Sequence, residues 1–332
     1  MMYWFLFGGL FLSWSFGRNN LSNVFGTAIG TRMVSFRLAA SLAGVFILLG
    51  ALFSSTQTTD AMLQIAHIPS VFGAFLISVS VALTILFVGH FGIPVSMAQS
   101  SIGALIGWNI FFQMQNNWPV VIDMVGAWFY CPVVAAVFAM LGFYAAKALL
   151  QYVKIPILYR DMWLRILLIL SGVYSAYFLG ANNMPAIAGP YLAVENVSAF
   201  YIILFFGFVI AVGALMADKR VIAMVSSGLY PLSPVEALVV VWACGLTLYC
   251  FSGNGLWSLL LWLHLPAFPL VPIPTSSVLV GSIIGVGFVK GSAGIRWHSF
   301  SKVIASWFVV PIISGLICWG ILTILTKGGT IL

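Results

Sequence analysis

Residues 15–26 read SFGRNNLSNVFG. Arg18, Asn19, Asn20 and Asn23 stand there among hydroxyls and glycines, inside a stretch that is otherwise apolar from residue 3 onward. The second half of the chain repeats the feature. Gly180, Asn182, Asn183 and Gly189 match Gly17, Asn19, Asn20 and Gly26 in a shared G-x-N-N-x5-G pattern. A second pair of motifs follows. IPVSMAQSSIGALIG spans 93–107 and VPIPTSSVLVGSIIGVG spans 271–287, and aligning Pro94 with Pro272 also aligns Gly103 with Gly281 and Gly107 with Gly285. These motifs offer amides from Asn19, Asn20, Asn23, Gln99, Asn182 and Asn183, and hydroxyls from Ser96, Thr275, Ser276 and Ser277. Amides donate or accept, hydroxyls do both, and a helix restarting after a break aims free N–H groups and about +0.5 charge at its start. Such a donor-rich site suits a tetrahedral oxyanion. Arg18 is the candidate for a charge contact with that anion. The competing reading is plain: small and polar residues let helices pack closely, and an arginine can snorkel or pair with a carboxylate.

Other chemistry is thin. Cys131, Cys244, Cys250 and Cys318 lie in apolar segments without zinc spacing. His67, His90, His264 and His298 are dispersed near connections. No H-E-x-x-H, G-x-S-x-G or phosphate-loop pattern occurs, so no metal site, cofactor or enzyme is expected. GVGFVKG at 285–291 has the wrong spacing for a dinucleotide loop and reads as a helix end. Among the acids, Asp60, Asp123, Asp161 and Glu195 flank segments, and Asp218 beside Lys219 and Arg220 reads as an ordinary charged turn. Glu236 differs, because it falls at the start of an apolar segment in PLSPVEALVVVW. A carboxylate there is a candidate to take a proton or help hold a cation. Equally, it could be an interfacial residue stabilised by the helix dipole.

The elements that must position these groups are membrane helices. The chain is 62% hydrophobic and 6% charged, with mean hydropathy +1.14, where a soluble domain carries about 25% charged residues. Apolar runs of the length needed to cross about 30 Å of hydrocarbon recur throughout. Ten segments are expected: 3–28, 36–55, 71–90, 94–113, 124–147, 163–189, 199–217, 232–252, 271–289 and 303–326. The net charge of +7 is too scattered for nucleic acid and instead sorts the connections. Arg32, Arg37, Lys147, Lys154, Arg160, Arg165, Lys219, Arg220, Lys290, Arg296 and Lys302 mark the cytoplasmic side. The connections at 56–70, 114–123, 190–198 and 253–270 carry no Lys or Arg, which puts both termini outside. Lys327 is the exception. Five segments per half make the halves inverted copies, with helices broken at the midplane. Residues 1–150 form the first repeat, 151–162 a cytoplasmic linker and 163–332 the second repeat.

The motifs resemble those of the inorganic phosphate transporter (PiT) family, secondary anion transporters with a duplicated G-A-N-D-x-x-N motif and a duplicated P-x-S-T-T-H motif. Here they read Gly17-Arg18-Asn19-Asn20-Leu21-Ser22-Asn23 and Gly180-Ala181-Asn182-Asn183-Met184-Pro185-Ala186, then Pro94-Val95-Ser96-Met97-Ala98-Gln99 and Pro272-Ile273-Pro274-Thr275-Ser276-Ser277. Glu236 stands where the family places an acidic residue upstream of its second P-x-S-T-T-H. The resemblance spans nearly the whole chain and implies a multi-pass permease of the bacterial inner membrane for phosphate, working by alternating access and driven by Na+ or H+. It departs from the family at both motif aspartates, replaced by Asn20 and Asn183, and at both histidines, replaced by Gln99 and Ser277. That loss of carboxylates makes sulfate or another oxyanion the alternative substrate. A receptor or assembly partner on a degenerate transporter fold is the alternative of another class. The expected partners are an oxyanion, the lipid bilayer and a second copy of the chain.

Overall fold

The computed structural model describes residues 2–55, 64–65, 68, 70–152, 156–192 and 198–328. Asp60, His67, Lys154 and Glu195 lie outside the described residues. After a 3-10 turn at Met2–Phe5, the helices are α1 (Leu6–Gly30), α2 (Phe36–Ser54), α3 (Val71–His90), α4 (Met97–Phe111), α5 (Trp118–Tyr152) and α6 (Ile157–Leu192). Then come α7 (Ala199–Leu215), α8 (Lys219–Ala223), a π turn at Met224–Gly228, α9 (Pro234–Ser252), α10 (Asn254–Trp262), α11 (Thr275–Val289) and α12 (Trp297–Lys327). No strand occurs among the described residues.

Local signals start these helices. Ser70 accepts a hydrogen bond from the Gly73 N–H at the head of α3, and Ser96 accepts from Gln99 N at the head of α4. Ser233, Pro234 and Glu236 form a capping box with proline in the first turn of α9, which satisfies orphan N–H groups reciprocally. Length separates two kinds of helix. Six helices are long and apolar enough to cross a membrane, and α7 with the segment at 219–228, bent by 69°, makes a seventh when taken as one broken span. α4 and α11 have only 15 residues each, about 22 Å at 1.5 Å per residue. Each follows non-helical chain, at 93–96 and 263–274.

One expectation is corrected here. The Asn-rich motifs do not break their helices. α1 runs unbroken through 15–26, and α6 runs through 180–189 despite Pro185 and Pro190. Two causes are visible. The Asn20 amide donates to Phe16 O at 3.2 Å and the Asn183 amide to Leu179 O at 3.0 Å, each one turn back along its own helix. The glycines serve close packing instead: a Cβ on Gly17 would run into Ile210 O, and one on Gly180 into Ile47 O. Of the four motifs, only the Pro-Ser/Thr pair coincides with non-helical chain.

The packing repeats in pairs. α1 packs on α7 and α6 on α2; α1 packs on α3 and α6 on α9; α4 packs on α12 and α11 on α5. Gly103 lies against the backbone of Pro311, and Gly281 against that of Pro132. Each short helix therefore lies along a long helix from the other half of the chain.

Candidate functional site

All ten motif side chains expected at the site are buried: Asn19, Asn20, Asn23, Ser96, Gln99, Asn182, Asn183, Thr275, Ser276 and Ser277 are each at most 4% exposed. Helical spacing of three and four residues puts Phe16, Asn20 and Asn23 on one face of α1. There the Asn23 amide donates to Asn20 Oδ1 at 2.6 Å and to Thr275 Oγ1 at 3.0 Å, and Thr275 Oγ1 donates to Asn20 Oδ1 at 3.3 Å. This triangle joins α1 to the first residue of α11, across 255 positions of sequence. It brings together residues of the first Asn motif and of the second Pro-Ser/Thr motif.

The paired motifs also hold the extended chain ahead of the short helices. Asn19 Nδ2 donates to Val95 O at 3.1 Å. Asn182 Nδ2 donates to Ile273 O at 2.8 Å, and Asn182 Oδ1 accepts from Ile273 N at 2.9 Å and from Ser252 Oγ at 3.3 Å. In each half the first Asn of the pair fixes the approach to a helix N-terminus. The second Asn caps a carbonyl of its own helix.

Several polar atoms in these motifs have no hydrogen-bond partner: Asn19 Oδ1, Asn23 Oδ1, Gln99 Nε2, Ser276 Oγ and Ser277 Oγ. Leaving a buried polar atom unpaired costs about 1–3 kcal/mol, so each of these atoms asks for an explanation. Their identities follow from the backbone. Phe16 O only accepts, so the Asn20 amide nitrogen faces it and Asn20 Oδ1 faces Asn23. Asn23 must then turn its nitrogen to Asn20, which leaves Asn23 Oδ1 free as an acceptor. Apart from Asn19 Oδ1, the unpaired atoms are an amide donor on Gln99, the Ser276 and Ser277 hydroxyls and the acceptor Asn23 Oδ1. Among the described residues, no group of three or more His, Cys, Asp or Glu side chains could hold a metal ion.

The hydrogen bonds unite Asn20, Asn23 and Thr275, and three other expected residues are engaged elsewhere. Ser96 serves as the cap of α4. Glu236 is buried in its capping box, donated to by Ser233 N at 2.7 Å, and pairs with Lys290 at 2.6 Å. Lys290 lies just past the far end of α11, about 22 Å from Thr275 along the helix. The Glu236 hydrogen bond raises the Lys290 pKa from its ordinary value. Arg18 points elsewhere too. Its Nη2 is 3.5 Å from Asp218 Oδ2, its guanidinium lies 5.4 Å from the centre of the Trp14 ring, and Arg18 O accepts from Asp218 N at 3.1 Å. Sequence reasoning missed Asp218, Arg220 and His90, which share a cavity with Arg18. They lie some 70 to 200 positions away, and only the need of an apolar-segment arginine for a counter-charge hinted at Asp218.

The sequence comparison decides what kind of protein carries this arrangement. A family model described as the phosphate transporter family matches residues 16–160, 155–257 and 253–330. The chain belongs to the phosphate transporter family. Both Asn motifs and both Pro-Ser/Thr motifs fall within the matched residues. Among similar proteins of that kind, one from Methanocaldococcus jannaschii, provisionally named a phosphate permease, is 26% identical over 309 residues, 92% of each chain. One from Pyrococcus furiosus with the same provisional name is 23% identical over 395 residues, 93% of this chain and 92% of its own. A solved structure titled the sodium-dependent phosphate transporter superposes with a TM-score of 0.80 at 19% identity, covering 98% of this chain and 99% of the other. That likeness bears on the fold alone.

Proposed function

We propose that this chain is a secondary permease for inorganic phosphate, working by alternating access of two inverted halves, 1–150 and 163–332, joined by a linker at 151–162. The observation that carries the reading is the Asn20–Asn23–Thr275 triangle, in which one half's Asn motif meets the other half's helix start. The paired packing of α1 with α7 and α2 with α6, and of α4 with α12 and α5 with α11, supports the repeat. On this reading α1, α4 and α11 complete ten membrane segments. α1 misses the apolarity expected of a span because its polar face is turned inward. α4 and α11 are short because each is the helical half of a crossing begun by extended chain. The basic connections then lie in the cytoplasm and both termini outside, in a bacterial inner membrane.

Phosphate is favoured over sulfate by the acceptor at Asn23 Oδ1. Phosphate keeps a proton at neutral pH and can donate it to that oxygen. Sulfate has none and would face the oxygen lone pair to lone pair. The unpaired Ser276, Ser277 and Gln99 groups supply the donors, together with the N-terminus of α11. Uptake is driven by a sodium or a proton gradient. Labelled phosphate and labelled sulfate are offered to proteoliposomes with each gradient imposed by itself. Saturable phosphate uptake that falls in Asn23→Ala supports the reading and names the ion. Saturable sulfate uptake without phosphate uptake makes sulfate the substrate. No uptake of either anion by folded protein turns the assignment to a receptor or assembly partner.

A further inference from the structure

A cavity of about 240 Å³ opens beside the Asn cluster, on the side of the basic connections, lined by Ser15, Arg18, Asn19, His90, Asp218 and Arg220 among others. Its composition is unusual in this chain. It gathers two of the 13 basic side chains in one place with two buried polar atoms that have no partner, Ser15 Oγ and Asn19 Oδ1. Ser15 is fully buried and Asn19 is 4% exposed. Both atoms are oriented by the structure. Some buried helical serines turn back on their own helix, as Ser13 does to Gly9 O, Ser80 to Leu76 O and Ser282 to Val278 O. Ser15, like Ser276 and Ser277, does not. Asn19 gives its amide nitrogen to Val95 O, which only accepts, so the atom left for the cavity is the acceptor Oδ1.

We infer that this cavity is a second oxyanion site, distinct from the Asn20–Asn23–Thr275 cluster, that takes a protonated oxyanion of the hydrogen phosphate kind. Two guanidinium groups against one carboxylate leave it an excess of positive charge. Asp218 occupies the two guanidinium groups unequally. It takes the Arg220 fork through Nε and Nη2, each at 3.3 Å, and caps α8 by accepting from Arg220 N at 2.9 Å, but it meets Arg18 through one nitrogen at 3.5 Å. Arg18 keeps most of its five donors, in the fork that suits phosphate oxygens. Ser15 adds a hydroxyl donor. Asn19 Oδ1 accepts the proton that phosphate carries and sulfate lacks. Asn19 also adjoins Asn20 on α1, so an anion held here is one residue from the central cluster. The two halves differ at this point, because the second copy has Ala181 where the first has Arg18. As a waiting position for transported anion, the site rests on the permease reading; as a binding site it does not.

The test is equilibrium dialysis of labelled inorganic phosphate, and separately labelled sulfate, against the purified full chain in detergent, run beside phosphate uptake in proteoliposomes. Wild-type protein is expected to bind two equivalents of phosphate. Arg18→Gln and Arg220→Gln, made singly, are each expected to weaken one equivalent by about tenfold, the size of one charge-assisted contact, and to leave the other. Arg220 has a half-exposed side chain, so its variant should fold even if Arg18→Gln does not. Asn19→Ala is expected to narrow the preference for phosphate over sulfate. Wild-type binding in both arginine variants, with uptake intact, overturns the second site and leaves the permease standing. Arginine-dependent phosphate binding in a protein that transports nothing does the reverse.

Discussion

Asn20 works through both ends of its amide. Its nitrogen closes a turn of α1 on Phe16 O and its oxygen gathers Asn23 and Thr275. Asn20→Ala removes the shared acceptor and frees two buried donors. Phosphate uptake is expected to fall tenfold or more, equivalent to about 1.4 kcal/mol of lost transition-state stabilisation, measured in proteoliposomes at matched protein density. Glu236 makes the contrasting case. Its carboxylate is held by Ser233 N and Lys290, away from the cluster. Lys290 has a raised pKa because of that hydrogen bond and charge. A raised ammonium pKa gives stability that is complete below the ordinary lysine value of about 10.4 and is lost only as pH rises through the higher folded value. Glu236→Gln is therefore expected to lower the melting temperature in detergent while leaving the shape of the uptake profile between about pH 5 and 8 unchanged, a range in which an unperturbed Lys does not titrate. A flattened profile would return Glu236 to the coupling machinery.

At the scale of the element, the short helices α4 and α11 look alike in sequence and start differently. α4 has a serine cap, with Ser96 Oγ accepting from Gln99 N at 3.3 Å. α11 begins after Pro274 with no side-chain cap, so Thr275, Ser276 and Ser277 are not needed to cap their own helix. Ser96→Ala is expected to destabilise the protein by about 1 kcal/mol, the usual worth of an N-cap, seen as a lower melting temperature. Ser276→Ala should cost little stability, because its hydroxyl has no partner to lose, and should show instead as a raised half-saturation for phosphate. Both helices are clamped by glycine. A side chain at Gly281 meets the Pro132 backbone, and one at Gly103 meets that of Pro311. Gly281→Val and Gly103→Val are expected to destabilise by similar amounts, about 1–3 kcal/mol for overpacking.

Across the whole molecule, Asp218 ties the 216–218 connection to α1 through Arg18 and to α8 through Arg220. Partial burial pushes the Asp218 carboxyl up, but the Arg220 hydrogen bonds and the charges of Arg220 and Arg18 prevail and hold it below its ordinary value. A depressed carboxyl pKa contributes stability above the ordinary value of about 3.9 that is lost as pH falls through the folded value. The melting-temperature gap between wild type and Asp218→Asn is expected to be full near neutral pH and to close on acidification through that range. Topology is testable on the same scale. Cys131, Cys244, Cys250 and Cys318 are all buried, so background labelling should be low. Cysteines introduced at Arg32 and Lys219 should react in intact cells only with membrane-permeant reagents, and one introduced at Asn117 also with impermeant ones. Labelling from the opposite sides would invert the assigned orientation.

The sequence by itself determined the class and the family, and it supplied the candidate residues of the proposed site. Hydrophobic content and scattered charge need no tertiary information, because a helix crossing lipid must satisfy its backbone locally and show its apolarity along the chain. The duplicated motifs named Asn20, Asn23 and Thr275 before their contact was visible. What the residues did there was decided only by the tertiary structure. An Asn-Gly run reads equally as a helix break or as a close-packing face, and the choice depends on whether another backbone lies against the glycines, as Ile210 does at Gly17. The same holds for charge. Arg18, Asp218 and Arg220 share a cavity because α1 and α7 pack together, and Glu236 pairs with Lys290, which reaches it from the end of α11. Electrostatic partners are set by distance in space, and distance in space is what a linear order of residues does not contain.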